Sequence, residues 1–408
     1  MPACRDLPIP MRALLAGARR KRPAMLRLIR QLVRLESPSG DKAAADACIA
    51  LAASHARVLG GRVQLHRQRG FGDVLEARFG PKTKAASAKP ILLLGHLDTV
   101  WPLGTLETMP CRVGEGRLWG PGTLDMKAGV AMAFTAIEML TEAGLLQREI
   151  VLLLTGDEEA GSPVSRPTTE RLAAGCAAVY VLEPAQGLAL KTARKGTGNW
   201  RIDVTGVAAH AGVDFEKGVN AIRELARVVE TVSGWTDLKR GLTVSVGVAG
   251  GGTRSNVIPA QAWAEVDVRI ARKADGERMA RKFAALKPVD KGCTLTVTGG
   301  IDRPPMERTR GTVRLYRQAR VLAEELGLVL DEASTGGASD GNFTAALGIP
   351  TLDGMGAVGE DAHASHESIM LEHLAPRTAL LAGMLAGCKV AGAPDTLSWR
   401  TTRSLITP

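Results

Sequence analysis

Histidines and acids in this sequence gather directly behind apolar runs. Ile91-Leu92-Leu93-Leu94 leads into Gly95-His96-Leu97-Asp98-Thr99-Val100, and Ile150 to Leu154 leads into Thr155-Gly156-Asp157-Glu158-Glu159-Ala160-Gly161. Val179 to Leu182 leads into Glu183-Pro184, and Asp125 stands in Gly122-Thr123-Leu124-Asp125-Met126-Lys127, at the head of a helical pattern. Each apolar run reads as a strand. Its polar followers therefore lie just past a strand's carboxyl end, where open α/β sheets bind ligands. Carboxylates delivered to one place by separate strands need a counter-charge, and metal ions supply it best. His96 and Asp98 are two apart and face the same side of an extended backbone, so Asp98 could accept the second ring N–H of His96 and fix its tautomer. Glu158 and Glu159 are adjacent and must point different ways; one can ligate while the other handles a proton. Taken singly, each feature has an ordinary explanation: a chance His-x-Asp, a solvated glutamate pair, a helix cap at Asp125, a strand end at Glu183. Their joint placement at element ends, in chain order, points to a metal site.

The elements that must position these residues follow from periodicity. Helical spacing runs from Pro23 to Glu36 and stops at Ser37-Pro38-Ser39-Gly40; a second helix covers Lys42 to Leu59, and a third Lys127 to Glu142, closed by Gly144. Strands apolar on both faces, alternating with helices, indicate a mostly parallel sheet covered on both sides. Residues 197–300 read differently. Trp200–Val204, Leu242–Val248, Trp263–Ile270 and Thr294–Thr298 are strands, while Gly218–Ser233 and Asp275–Leu286 are helices. The order β-α-β-β-α-β is that of a ferredoxin-like sandwich. The chain then returns to a helix, Thr312 to Leu326, and further α/β pattern. The expected architecture is α/β: a discontinuous catalytic domain (1–193 and 305–408) with an inserted lid, 194–304.

Composition sets bounds. A chain of 408 residues with 45% hydrophobic and 23% charged residues suits a two-domain globular protein. No apolar run is long enough to span a bilayer. The short apolar patch Met11–Ala18 precedes Arg19-Arg20-Lys21-Arg22, the reverse of a secretory signal, so a cytoplasmic location is expected. Cysteines 4, 48, 111, 176, 293 and 388 form no Cys-x-x-Cys pair and read as reduced, mostly buried thiols. The net charge of +10 is largely local, since residues 1–30 hold eight basic side chains against Asp6 alone. Such a run reads as a solvated helix face or a loose tail, and no nucleic-acid motif accompanies it; neither nucleic acid nor membrane is an expected partner.

Gly-His-Leu-Asp-Thr-Val (95–100), Gly-Pro-Gly-Thr-Leu-Asp-Met-Lys-Ala-Gly (120–129) and Gly-Asp-Glu-Glu-Ala-Gly-Ser (156–162) together resemble the core motifs of the di-zinc aminoacylase and carboxypeptidase family. That family includes carboxypeptidase G, acetylornithine deacetylase and succinyl-diaminopimelate desuccinylase, and the resemblance extends over about residues 25–390. It implies a zinc domain with an inserted lid that commonly mediates dimerisation, two Zn2+ per subunit, and a cis bond at Asp125-Met126. It also implies that His96 and Glu183 hold one zinc, Glu159 the second, and Asp125 bridges both. The family's last ligand is a histidine followed four residues later by Glu. In Ala362-His363-Ala364-Ser365-His366-Glu367 this selects His363, with His366 a nearby competitor.

By the same resemblance Glu158 is the general base, Asp98 supports the catalytic centre, and His210, in Gly206-Val207-Ala208-Ala209-His210-Ala211-Gly212, is the lid histidine. Asn256 matches a position near the oxyanion. Arg269 and Arg303 match basic positions that can grip a substrate carboxylate, a task suited to the guanidinium fork. Gly336 and Gly337 lie in a glycine-rich loop like the one beside the family's site. The implied function is zinc-dependent hydrolysis of an amide next to a free carboxylate, foremost the release of a C-terminal amino acid such as glutamate. Two other readings stand beside it: an N-acyl-amino-acid deacylase, and a basic binding protein that has lost catalysis.

Overall fold

The computed structural model describes residues 9–81 and 89–387. Cys4, Arg5, Asp6 and Cys388 lie outside them. The chain forms two compact units. The first takes the described residues of Met1–Thr192, Arg308–Ala333 and Ser339–Pro408, and the second takes Ala193–Glu307 and Ser334–Ala338. The sequence reading kept all of 305–408 in one stretch. Ser334–Ala338 go instead with the second unit, where Lys195 N donates to Thr335 O (3.0 Å) and Arg194 Nη1 to Gly337 O (3.2 Å).

The first unit is built on a six-stranded sheet. Its order is Arg62–His66, Val74–Phe79, Ile150–Thr155, Ile91–His96, Ala178–Val181, Thr351–Leu352. The last four strands are parallel, and the hairpin Arg62–Phe79 adds an antiparallel edge. The continuous apolar runs have a direct cause. Ile91 and Leu93 pack into the larger core on one face, and Leu92 and Leu94 into a second core on the other. Helices Met11–Arg34, Ala128–Glu142 and Leu371–Ala386 pack on one another over the larger core.

The first of these helices corrects the sequence reading, which began it at Pro23. It starts at Met11 and carries Pro23 in its interior. An interior proline costs about 3 kcal/mol. The buried stripe Met11, Leu14, Ala18, Met25, Ile29, Leu32 continues across it, and each large aliphatic buried contributes roughly 1.5–3 kcal/mol, so packing wins. The basic run is thus a helix face. Lys21 Nζ reaches Glu138 at 3.0 Å and Glu142 at 2.7 Å on the neighbouring helix. Of the described cysteines, Cys48, Cys176 and Cys293 are buried, Cys111 is partly so, and all four are free. Among the described residues no helix is long and apolar enough to cross a membrane.

The second unit holds a four-stranded antiparallel sheet in the order Thr243–Gly251, Gln261–Ile270, Gly196–Thr205, Thr294–Arg303. Helices Ala221–Ser233 and Lys273–Ala284 pack against it. Alternate residues Trp200, Ile202 and Val204 face the core, with Trp200 stacked on Phe283 at 4.3 Å between ring centroids. A short antiparallel pair, Ala209–His210 with Val257–Ile258, lies outside this sheet.

One crowded spot bears on the site. A Cβ on Gly129, in the first turn of its helix, or on Gly356 would stand 2.1 Å from the carbonyl oxygen of Leu182, the residue before Glu183. Helix propensity favours Ala over Gly by about 1 kcal/mol, but overpacking against a fixed carbonyl costs about 1–3 kcal/mol. Gly129→Ala is therefore expected to lower the urea midpoint at unchanged m-value. A raised midpoint would show that the helix can withdraw from the strand.

Candidate metal centre

Each chemical residue of the first unit sits at an element end. His96 closes the strand Ile91–His96, and Glu158 and Glu159 form a 3-10 turn after Ile150–Thr155. Glu183 follows Ala178–Val181, and Asp125 lies in the irregular turn Thr123–Lys127 ahead of helix Ala128–Glu142. The Asp125-Met126 bond is cis. His363 lies between the short strands Gly359–Glu360 and Ser368–Met370, with φ at +64°, a left-handed value few non-glycine residues adopt.

These side chains converge. His96 Nε2 stands 3.2 Å from Asp125 Oδ1 and 3.5 Å from Glu183 Oε1. His363 Nε2 stands 3.4 Å from Asp125 Oδ2 and 3.2 Å from Glu159 Oε1. The two oxygens of Asp125 therefore face two different histidines. His96, Asp125 and Glu159 offer donor atoms within 4.8 Å of one another, and so do His96, Glu158 and Glu183. His366 turns elsewhere, to Asp361 at 3.1 Å, with its side chain mostly exposed.

The electrostatics follow from that crowding. Burial alone would raise Asp125, but hydrogen bonds from His363 and His96 hold it far below the ordinary carboxylate range. Burial opposes charge on His96, yet Asp125, Asp98 and Glu183 raise its pKa well above the usual value. His363, half exposed, is pushed up to about 10 by Asp125 and Glu159. Glu159 is raised by burial and by Asp125, with His363 offsetting part of the rise. Imidazole and carboxylate donors converging where positive charge is in demand fit a divalent metal ion.

Two further carboxylates hold the frame. His96 Nδ1 is closest to the main-chain oxygen of Asp98, at 3.0 Å, with its carboxylate at 3.5 Å. That carboxylate accepts from Ser39 Oγ (2.6 Å) and from the amides of Glu158 (3.2 Å) and Glu159 (3.0 Å). Asp98 thus orients the glutamate turn more directly than the imidazole. Fully buried Glu367 accepts from Leu124 N (2.7 Å), Asp125 N (3.0 Å), Gly122 N (2.9 Å) and Trp101 Nε1 (3.0 Å). Burial raises its pKa, and these donors offset part of the rise. The sequence reading used Glu367 only to select His363 and took Ser39 as part of a helix stop. No local spacing announces either role.

The remaining candidates lie in the second unit. His210 and Asn256 are neighbours, with Ala211 N donating to Asn256 O at 3.0 Å; both side chains are exposed, and His210 Nδ1 accepts from Gly212 N at 3.1 Å. Arg269 and Arg303 flank Thr197 on adjacent strands. Arg269 Nε pairs with Asp267 at 2.9 Å, and Arg303 is buried. Gly336 and Gly337 are exposed, and Gly337 O accepts from Arg194.

The family described as "Peptidase family M20/M25/M40" matches residues 92–387. The chain is 30% identical over 380 residues to carboxypeptidase G2 of Pseudomonas sp. (strain RS-16), covering 91% of each chain. It is 29% identical to the succinyl-diaminopimelate desuccinylase of Stenotrophomonas maltophilia (strain R551-3), covering 72% of this chain and 82% of that one. In structure it is similar to aminopeptidase PepT of Bacillus cereus ATCC 10987, with a TM-score of 0.75 at 23% identity, covering 90% of this chain and 98% of that one.

A pH dependence follows. His363 of the metal-free protein keeps its proton up to about 10, hence at neutral pH. A metal ligated by this imidazole must displace that proton. Uptake should release protons, and the apparent affinity should fall with falling pH by about tenfold per unit for each proton expelled. Calorimetric metal titrations in buffers of different ionisation enthalpy measure the release; none near neutral pH would show that the metal displaces no proton from His363 or His96.

Proposed function

The chain belongs to peptidase family M20/M25/M40, and from that premise we propose that it is a two-zinc exopeptidase releasing a C-terminal amino acid, glutamate foremost. It is a metallohydrolase of the peptidase and amidohydrolase kind. The observation that carries the two-metal reading is Asp125, whose oxygens face His96 at 3.2 Å and His363 at 3.4 Å. His96, Asp125 and Glu183 would hold one zinc; Asp125, Glu159 and His363 the other. Ions held there would polarise the scissile carbonyl and make a water acidic enough to attack near neutral pH.

Glu158 takes the proton of the attacking water and delivers it to the leaving nitrogen. Asp98 holds the Glu158 amide, so the carboxylate swings from a fixed backbone. The second unit is read as a ferredoxin-like lid and dimerisation domain, and His210 and Asn256 in it are proposed as the residues that stabilise the oxyanion. Arg269 and Arg303 are proposed to bind the substrate carboxylate, and the loop of Gly336 and Gly337 to border the substrate. Carboxypeptidase G2, at 30% identity over 91% of both chains, supports the carboxypeptidase reading. The desuccinylase relative supports the second one, a deacylase of N-acyl amino acids.

A hydrolysis screen separates them. Peptides and folate-like amides ending in glutamate should give the highest kcat/KM; faster cleavage of acetyl- or succinyl-amino acids would assign a deacylase. Metal analysis of the zinc-replete protein should give close to two equivalents.

The adjacent glutamates test the mechanism. Glu158→Gln should keep both ions and lose about 10²–10⁴-fold in turnover. Glu159→Gln should loosen one ion, because an amide is a poor zinc ligand. The reverse pattern would exchange their roles.

A further inference from the structure

Beneath the sheet, at the ends of the strands opposite the metal centre, lies a second cavity of about 240 Å³. It is bordered by Ile91 and Ala178, the first residues of two parallel strands, and by Leu315, Met384 and Leu385 from two helices. Ile91 and His96 sit at opposite ends of one strand, roughly 16 Å apart at about 3.3 Å per residue. The polar lining is one-sided. Arg148, Arg314, Gln147, Gln318 and Tyr180 contribute, and among the described residues no carboxylate or histidine does.

Arg148 is the informative group. It is 8% exposed, and its Nη1 has no hydrogen-bond partner among the described residues. A buried guanidinium is ordinarily paired with an anion, because desolvating the charge otherwise costs several kcal/mol. Burial lowers its pKa, with only Tyr180 acting in the other direction. Arg314 lines the same cavity, and both cations act electrostatically on the Tyr180 hydroxyl. Apart from Arg314, Gln147, Gln318 and Tyr180, the rest of the wall is aliphatic or small. A cationic fork in such a pocket matches a small organic carboxylate, with its charge on Arg148 and its hydrocarbon against Ile91, Leu315 and Met384. Inorganic phosphate would bring strongly hydrated oxygens against those aliphatic walls and fits less well.

We propose that this cavity is a binding site for a small organic carboxylate, separate from the metal centre and anchored on Arg148. It does not rest on the zinc mechanism.

The test uses the full-length, metal-loaded protein with benzoate and inorganic phosphate as probes. Calorimetry should show one saturable benzoate site that persists when the metal centre is filled with substrate or a competitive inhibitor. Bound benzoate should also raise the melting temperature, as any ligand of the native state does. Arg148→Met should weaken benzoate binding at least tenfold while kcat/KM stays unchanged. Should that variant fail to fold, Ala386→Phe fills the cavity with Arg148 in place and should abolish benzoate binding alike. The assignment is overturned if benzoate does not bind, if its binding survives both substitutions, or if phosphate binds more tightly than benzoate.

Discussion

Four carboxylates, those of Asp125, Glu158, Glu159 and Glu183, share one small space with two imidazoles, and the rest of the first unit is arranged around the cost of that crowding. Two like charges 4 Å apart repel by about 4 kcal/mol at an effective dielectric of 20. Protonating the histidines relieves only part of this, as the raised pKa of His363 and His96 and the raised pKa of Glu159 show together. Divalent cations relieve it far more. The free energy of metal binding then becomes free energy of folding for the loops that carry the ligands. A sheet whose strands are apolar on both faces is rigid enough to hold such an arrangement at its ends.

Asp98 and Glu367 stabilise the arrangement from outside the set of proposed ligands. Both spend their carboxylates on N–H groups, Asp98 on the amides of Glu158 and Glu159, Glu367 on those of Gly122, Leu124 and Asp125. Charge-assisted bonds of this kind are roughly twice as strong as neutral ones. Glu367 also follows His363 by four residues, so one side chain ties the loop of one proposed ligand to the turn of another. Displacing it would move Asp125 relative to both histidines.

The legible part of the structure was the part governed by local patterning. Ile91–Leu94, Ile150–Leu154 and Ala178–Leu182 read as strands because both faces are buried, and the residues behind them read as a site because polar groups there have no core to join. Helix and strand order in the second unit was readable from clean alternation such as Trp200, Ile202, Val204. Three features were hidden because they depend on distant partners. The strand Val74–Phe79, second in the sheet, carries Glu76 and Arg78, made tolerable there by pairing with each other, with His66 and with Glu149. Pro23 argued for a helix start until tertiary packing overrode it. The cavity around Arg148 joins residues from two strands, a loop and two helices, and no spacing in the sequence links them.

The residues proposed for chemistry and those proposed for selectivity occupy different parts of the chain. His96, Asp98, Asp125, Glu158, Glu159, Glu183 and His363 all belong to the first unit. His210, Asn256, Arg269, Arg303, Gly336 and Gly337, the residues proposed to contact substrate, all belong to the second; even the glycine loop does, through the segment Ser334–Ala338. A metal site tolerates little change, because each donor is fixed by the repulsion of the others. Groups spread over strands and loops of the second unit are under no such constraint. Substitutions there can change which carboxylate or acyl group is accepted while the ligand geometry stays intact. A carboxypeptidase and a desuccinylase both stand about 30% identical to this chain, so overall identity alone does not select between their substrates.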